Sequence, residues 1–249
     1  MEILKRIKYC FFLLIISLSF LGCNSTNAPD CFQSAGEETT ISITELESFN
    51  QLVIYDDIEL EIIEAENEYF ELTYGENLIP EIIYEYENDS ISFFNYNSCG
   101  WTRDFKKPKL KWFTDKESIN IISLSNGNII TNDTLYRPIS IRTENAVGDI
   151  NLLINNSYIL LSSNSSANYN VIGRSDELTI YAYFNDGIYE CENLQVNNAK
   201  ILHRGYNDII VNAKNSITGS IENAGRILYV GNPSLNVEVS NGGELIQIE

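Results

Sequence analysis

Histidine, methionine and tryptophan are nearly absent from this 249-residue chain, with one, one and two of each, and cations are scarce, at 16 Lys and Arg against 35 Asp and Glu. A single histidine, His203, removes the ordinary routes to a multi-histidine metal centre. It also means that any Ser-His-Asp or Cys-His arrangement would have to use that one side chain. His203 stands in Ile201-Leu202-His203-Arg204-Gly205, at a strand end before a corner, where a structural role is expected. No nucleophile elbow, zinc spacing or Gly-rich phosphate loop accompanies it, so no metal and no cofactor is expected. The shortage of positive charge excludes nucleic acid as a partner, because phosphate binding needs a basic surface.

Long apolar runs are also missing, apart from one near the start. Lys5, Arg6 and Lys8 precede an apolar stretch, Tyr9–Leu21, that ends in Phe20-Leu21-Gly22-Cys23. A positive region, an apolar stretch and small residues in that order make a secretion signal over residues 1–22. The stretch is shorter than the roughly 20 residues a spanning helix needs. Its end resembles a relaxed lipobox, which makes Cys23 the expected lipid-bearing residue, a palmitate-type anchor at the cell outer membrane. Removing residues 1–22 takes away three cations and one acid, which leaves 13 cations, 34 acids and a net charge of −21. The lipid is then the expected membrane contact, facing either the periplasm or the exterior.

Three further cysteines, Cys31, Cys99 and Cys191, lie beyond Cys23. Outside the cytoplasm disulfides form readily. The expected pair is Cys31, in the tether of residues 23–37, with Cys99, in the polar turn Asn95–Gly100; Cys191, in a strand-like run, is the expected buried free thiol. Other pairings stay open on sequence alone.

What the chain has in abundance is short β-branched and aromatic runs. Leu52–Tyr55, Ile58–Ile63, Tyr69–Tyr74, Ile82–Tyr86, Ile91–Tyr96, Leu110–Phe113 and Ile119–Ser123 are separated by Asn, Asp and Gly, an all-β signature. From Asn126 a repeat sets in: a small or polar corner followed by an apolar residue at 129, 150, 169, 188, 209, 227 and 245, with spacings of 21, 19, 19, 21, 18 and 18. Self-similarity near 20 residues predicts a β-solenoid whose coils bury a shared core. Gly, Asn and Asp at the corners are expected to supply positive φ. Residues 38–125, where the repeat is less regular, are expected to form the N-terminal part of the solenoid and cap one end; residues 126–249 are expected to form its regular coils.

Two surface features remain. Arg103, Lys106, Lys107, Lys109 and Lys111 concentrate five cations within nine residues. They are readable either as a patch for an anionic ligand or as an edge strand protected by lysines. Trp101 and Trp112 flank them and are candidates for stacking on sugars. Asp149, Asp186 and Asp208 recur at comparable corner positions, the places where a solenoid polysaccharide lyase or hydrolase would need paired carboxylates or calcium. Asp is also favoured at corners for its local hydrogen bonds.

Several blocks together resemble the bacterial autotransporter-type adhesin head (GIN) domain family. They are Ala28-Pro29-Asp30-Cys31-Phe32, Ile54-Tyr55-Asp56-Asp57-Ile58-Glu59-Leu60, Gly75-Glu76-Asn77-Leu78-Ile79-Pro80, Asn97-Ser98-Cys99-Gly100-Trp101, Lys106-Lys107-Pro108, Gly148-Asp149-Ile150-Asn151-Leu152 and Gly231-Asn232-Pro233. The resemblance implies a right-handed parallel β-helix, similar in shape to pectin-lyase-like proteins, and a cell-adhesion role. The family's Gly-Ser-Gly corners are only partly kept: Gly148, Gly187, Gly225 and Gly242-Gly243 remain, with Asn and Asp in the other places. The expected protein is a lipid-anchored, non-enzymatic envelope solenoid binding a glycan or protein ligand, or a further copy of itself. A carbohydrate-active enzyme and a purely structural envelope protein are the alternatives.

Overall fold

A computed structural model of the chain describes residues 34–98, 106–184 and 187–248. Cys23, Cys31, Cys99, Trp101, Arg103 and Asp186, and with them the signal segment, the lipid site and the expected disulfide, lie outside these residues.

The described chain is almost entirely β-strand. β1 is Glu38–Ile43 and stands outside the first coil, which is β2 (Gln51–Asp56) and β3 (Glu59–Glu64). β4 (Tyr69–Gly75), β5 (Ile82–Glu87), β6 (Ser90–Asn95) and β7 (Lys109–Thr114) follow before the coiling resumes. It resumes in β8 (Ile119–Ser125), β9 (Ile129–Ile130) and β10 (Ile139–Glu144). Four long strands come next: β11 (Asp149–Asn164), β12 (Asn168–Ala182), β13 (Tyr189–His203) and β14 (Asp208–Ile221). β15 (Arg226–Val230), β16 (Ser234–Val239) and β17 (Glu244–Ile248) end the stack.

Parallel pairing between strands about 20 residues apart makes the solenoid. On one wall β2 pairs with β8, β8 with β10, and β10 with the second half of β11. That wall continues through the second halves of β12, β13 and β14 to β16. The opposite wall runs from β3 through β9 and the first halves of β11 to β14, then β15 and β17. Side chains alternate in and out along each strand. β8 shows it plainly: Ile119, Ile121, Ser123 and Ser125 point in, and Asn120, Ile122 and Leu124 point out.

Parallel register puts like residues above one another. Ile119, Ile139 and Ile159 align on one wall, and Leu60, Ile129, Ile150 and Tyr169 on the other. All of these are at most 2% exposed. Each such aliphatic side chain removed from water contributes roughly 1.5–3 kcal/mol. The apolar columns therefore set the register, because a one-residue slip would turn every one of them to solvent.

The register corrects one repeat position. Tyr189, not Ile188, faces Tyr169 and Ile209; Tyr189 is fully buried and Ile188 is 43% exposed. The Tyr169 and Tyr189 rings stack at 4.5 Å and 6°. The Tyr169 hydroxyl lies 2.6 Å from Thr143 Oγ1 inside the core, and burial pushes its phenol up to about 12.

The corners meet the expectation of positive φ only in part. Positive φ at corners falls on Asp56, Asn145, Asn241 and Gly242, whereas Gly127 and Gly148 do not adopt it. A Cβ on Gly148 would lie 2.0 Å from the Gly127 carbonyl oxygen, and one on Gly127 would lie 1.9 Å from that of Ile58. Glycine is required there because stacked coils bring main chain against main chain, and turn dihedrals do not demand it.

The segment between the first coil and the next builds one end of the stack. β4 pairs antiparallel with β1 and β7, and β5 with β6, while β7 and β6 rejoin the parallel walls beside β3 and β2. Its interior is aromatic. Phe49, Phe70, Phe93 and Trp112 are fully buried, with Phe70 4.9 Å from Phe93 and 5.9 Å from Trp112.

Candidate functional site

Of the expected basic patch, Lys109 and Lys111 sit on β7, whose strand is bonded on both flanks, by β3 and by β4, and Lys106 and Lys107 lie just before it. β7 is not an edge strand, so protection of an open edge does not explain its lysines. Acidic and carbonyl neighbours take them up. Lys111 pairs with Glu61 at 3.4 Å, Lys106 with Glu38 at 3.6 Å, and Lys107 Nζ donates to the Asn126 carbonyl at 2.7 Å. Lys109 and Lys111 line a recess of about 270 Å³ together with Glu59 and Glu61, so charge there is balanced. Exposed pairs of this kind are worth about 0–1 kcal/mol. Trp112 is in the core and offers no sugar platform; its indole Nε1 donates to Glu68 at 3.2 Å.

Of the corner acids, the two described ones, Asp149 and Asp208, are not brought together. Asp149 is opposite Asn168, and continuing the register places Asp208 three coils away. Three strand spacings are about 14 Å, beyond the roughly 5–10 Å that paired glycosidase carboxylates keep. Each is also engaged: Asp149 accepts from Asn168 Nδ2 at 3.0 Å, and Asp208 accepts from Arg226 Nε and Nη2 at 2.7 and 2.6 Å. No group of three or more His, Cys, Asp or Glu side chains placed to hold a metal occurs among the described residues.

His203 is fully buried, with Nε2 2.9 Å from the Asn207 carbonyl and Nδ1 accepting from the Gly205 N–H at 3.2 Å. That pattern makes Nε2 the protonated nitrogen of a neutral ring, and desolvation lowers its affinity for a second proton. Gly225 packs on the ring: a Cβ there would lie 2.1 Å from Nε2. The histidine fastens a corner. Cys191 is fully buried and free, and burial pushes its thiol well up.

A larger recess lies elsewhere, on the outer face of the wall built by β2, β8, β10, β11 and β12. It is a groove of about 650 Å³. Small polar residues form its floor, because Ser140, Ser162 and Asn164 occupy outward positions on adjacent strands. Aromatic side chains rise at one side: Tyr181, Tyr183 and Phe184, the last 72% exposed. Gln51, Asn120 and Ile122 stand on the other. Arg142 crosses the floor and forms an ion pair with Glu144. Arg204 lies 6.0 Å over the Tyr183 ring and is itself paired with Glu222 at 2.7 Å, which holds that carboxyl below its usual range.

Sequence reasoning missed this groove. Its residues come from segments up to 133 positions apart, Gln51 to Phe184, and no local motif joins them. The available signal was the alternation on β12, which puts Tyr181 and Tyr183 outward around the buried Ala182.

Comparison with solved structures finds the same fold in several bacterial proteins. A protein described as a "putative adhesin" from Bacteroides fragilis superposes with a TM-score of 0.71 at 16% identity, over 85% of this chain and 97% of that one. One described as a "putative lipid binding protein" from Parabacteroides distasonis gives 0.61 at 18%, over 86% and 98%. A "putative adhesin" from Parabacteroides merdae gives 0.59 at 19%, over 86% and 97%. At these identities the likeness is one of fold. Comparison with curated proteins finds no relative. The sequence pattern of the family described as "Putative auto-transporter adhesin, head GIN domain" matches residues 48–233, and the chain belongs to that family.

Proposed function

We propose that the chain is a lipid-anchored, non-catalytic binding protein of a Gram-negative cell envelope, carried on an acylated Cys23 and engaging its ligand through the side of the solenoid. The observation that carries this reading is the 650 Å³ lateral groove, polar at its floor and aromatic at its wall. Its size falls in the roughly 300–1,000 Å³ range of ordinary ligand sites. Membership in an adhesin-type family and a fold shared with adhesin-like proteins support a binding role at the envelope. Among the described residues no helix is long and apolar enough to cross a membrane. The separation of Asp149 from Asp208 speaks against a lyase or hydrolase built on that pair, and the groove speaks against a purely structural coat.

The test is protease shaving of intact cells, with Cys23→Ala and an internal periplasmic control alongside. The expected result is release of the folded part from whole cells, and loss of cell attachment in the variant. Protection until the outer membrane is opened would overturn the adhesive reading. Unchanged attachment of Cys23→Ala would overturn the lipid anchor.

A further inference from the structure

The groove does not end at its polar floor. The outward positions of the same wall continue toward the N-terminal end of the stack, where Tyr55 on β2 stacks on Phe94 of β6 at 4.4 Å and 17°. Phe94 stacks in turn on Tyr96 at 5.8 Å and 8°, and Tyr96 is 55% exposed. Tyr55 is opposite Leu124, and the same outward position passes through Glu144 and Asn164 to reach Tyr183 just past the end of β12. The wall therefore carries two aromatic clusters, Tyr55–Phe94–Tyr96 and Tyr181–Tyr183–Phe184. Four strand spacings separate them, about 19 Å. Between them Ser140, Ser162 and Asn164 make no side-chain hydrogen bond to any described residue, so their donors and acceptors are free for a ligand.

Charge decides the class of ligand. Arg142, the cation lining the groove, is committed to Glu144, and Arg204 beside Tyr183 is committed to Glu222. The chain as a whole has a net charge of −19, which repels polyanions over the distance of a Debye length. What the strip offers is aromatic rings at both ends and, between them, the hydrogen-bonding groups of Ser140, Ser162 and Asn164 beside Leu160 and the mutually paired Arg142 and Glu144. A pyranose chain has the matching surface: C–H faces that pack on aromatic rings, and hydroxyls that exchange hydrogen bonds with Ser and Asn.

We propose that this strip binds an extended, uncharged polysaccharide running along the solenoid axis, across the strands, with sugar faces on both aromatic clusters. This rests on the reading of the groove as the ligand site and names the ligand's chemistry. Because the two clusters are far apart, a monosaccharide engages only one of them, and affinity grows with chain length until both are reached.

The test is native affinity electrophoresis of the full chain in gels containing neutral polymers (mixed-linkage β-glucan, arabinoxylan, galactomannan and yeast α-mannan) or anionic ones (polygalacturonate and heparin). The expected result is retardation by at least one neutral polymer and by neither anionic one. At least a tenfold loss is expected in Tyr181→Ala/Tyr183→Ala and a smaller loss in Tyr55→Ala. These rings point outward, so circular dichroism and melting of the variants check that the fold is kept. Retardation by no neutral polymer overturns the proposal, as does retardation by the anionic polymers. Retardation by a neutral polymer that survives the double substitution also overturns it, by placing the site elsewhere. If shaving and Cys23→Ala behave as expected while every gel is unaltered, the envelope reading stands and the glycan assignment alone falls.

Discussion

The N-terminal end and the regular coils of this molecule solve one problem in two ways. In the coils inward columns stack aliphatic side chains over several layers, as in Ile119 over Ile139 over Ile159, so successive layers offer one another a similar shape and width. At the N-terminal end the antiparallel strands β4 to β7 enclose a space that no repeat fills, and Phe49, Phe70, Phe93 and Trp112 occupy it. Repetition needs tight, identical corners and rewards β-branched residues, which are stiff and pack well on a pleated wall. An end needs volume and a finish to the pairing, which aromatic rings and changes of strand direction supply.

Three measurements sharpen that contrast. The largest effect is expected in the coils. Ile150→Asp places an unpaired carboxylate between Ile129 and Tyr169 and should cost more than about 5 kcal/mol in chemical denaturation. Ile188→Asp, one position from the inward Tyr189, should stay within about 0.5 kcal/mol. Equal costs for the two would refute the register. Next, Trp112→Ala should leave a cavity among Phe49 and Phe70 and cost about 3–5 kcal/mol. Hydrogen exchange should show protection lost first in β4 to β7; loss first in β12 and β13 would mean that the end is not a separate layer of stability. The smallest effect concerns His203. Burial lowers its proton affinity below the ordinary 6.5, so the folded state binds fewer protons than the unfolded one. Its contribution to stability is then complete above pH 6.5 and declines as pH falls below that value. Because the chain has one histidine, an NMR titration of its ring reads the midpoint directly. A midpoint at or above 6.5 would contradict the buried, neutral ring.

Much of the coil architecture was legible because its signal is local and repeated. An apolar residue after each corner, near every 20 positions, reports a coil whatever lies above or below it. The one misplaced position, Ile188 for Tyr189, arose in Asp186-Gly187-Ile188-Tyr189, where two adjacent apolar residues both fit the spacing. The stacked ring of Tyr169 chooses between them, and that is a contact between coils. The role of the corner glycines was hidden for the same reason: a collision with the carbonyl of the preceding coil is not visible in a turn considered alone. Lys106, Lys107, Lys109 and Lys111 looked like a patch because they are close in sequence, while Glu38 and Glu61, which pair with Lys106 and Lys111, come from strands far earlier in the chain.

The sequence by itself determined the class of the fold, the length of a coil, the scarcity of catalytic side chains and the segment expected to carry a lipid, since each follows from composition or from periodicity along the chain. Only the tertiary structure decided which of two apolar neighbours faces inward, that Trp112 is core and not platform, and that Asp149 and Asp208 stand three coils apart. It alone assembled Gln51, Ser140, Ser162 and Tyr181 into one groove. The physical reason is that inward and outward alternate every residue, while the identity of a residue's neighbours is set about 20 positions away, by how the coils stack.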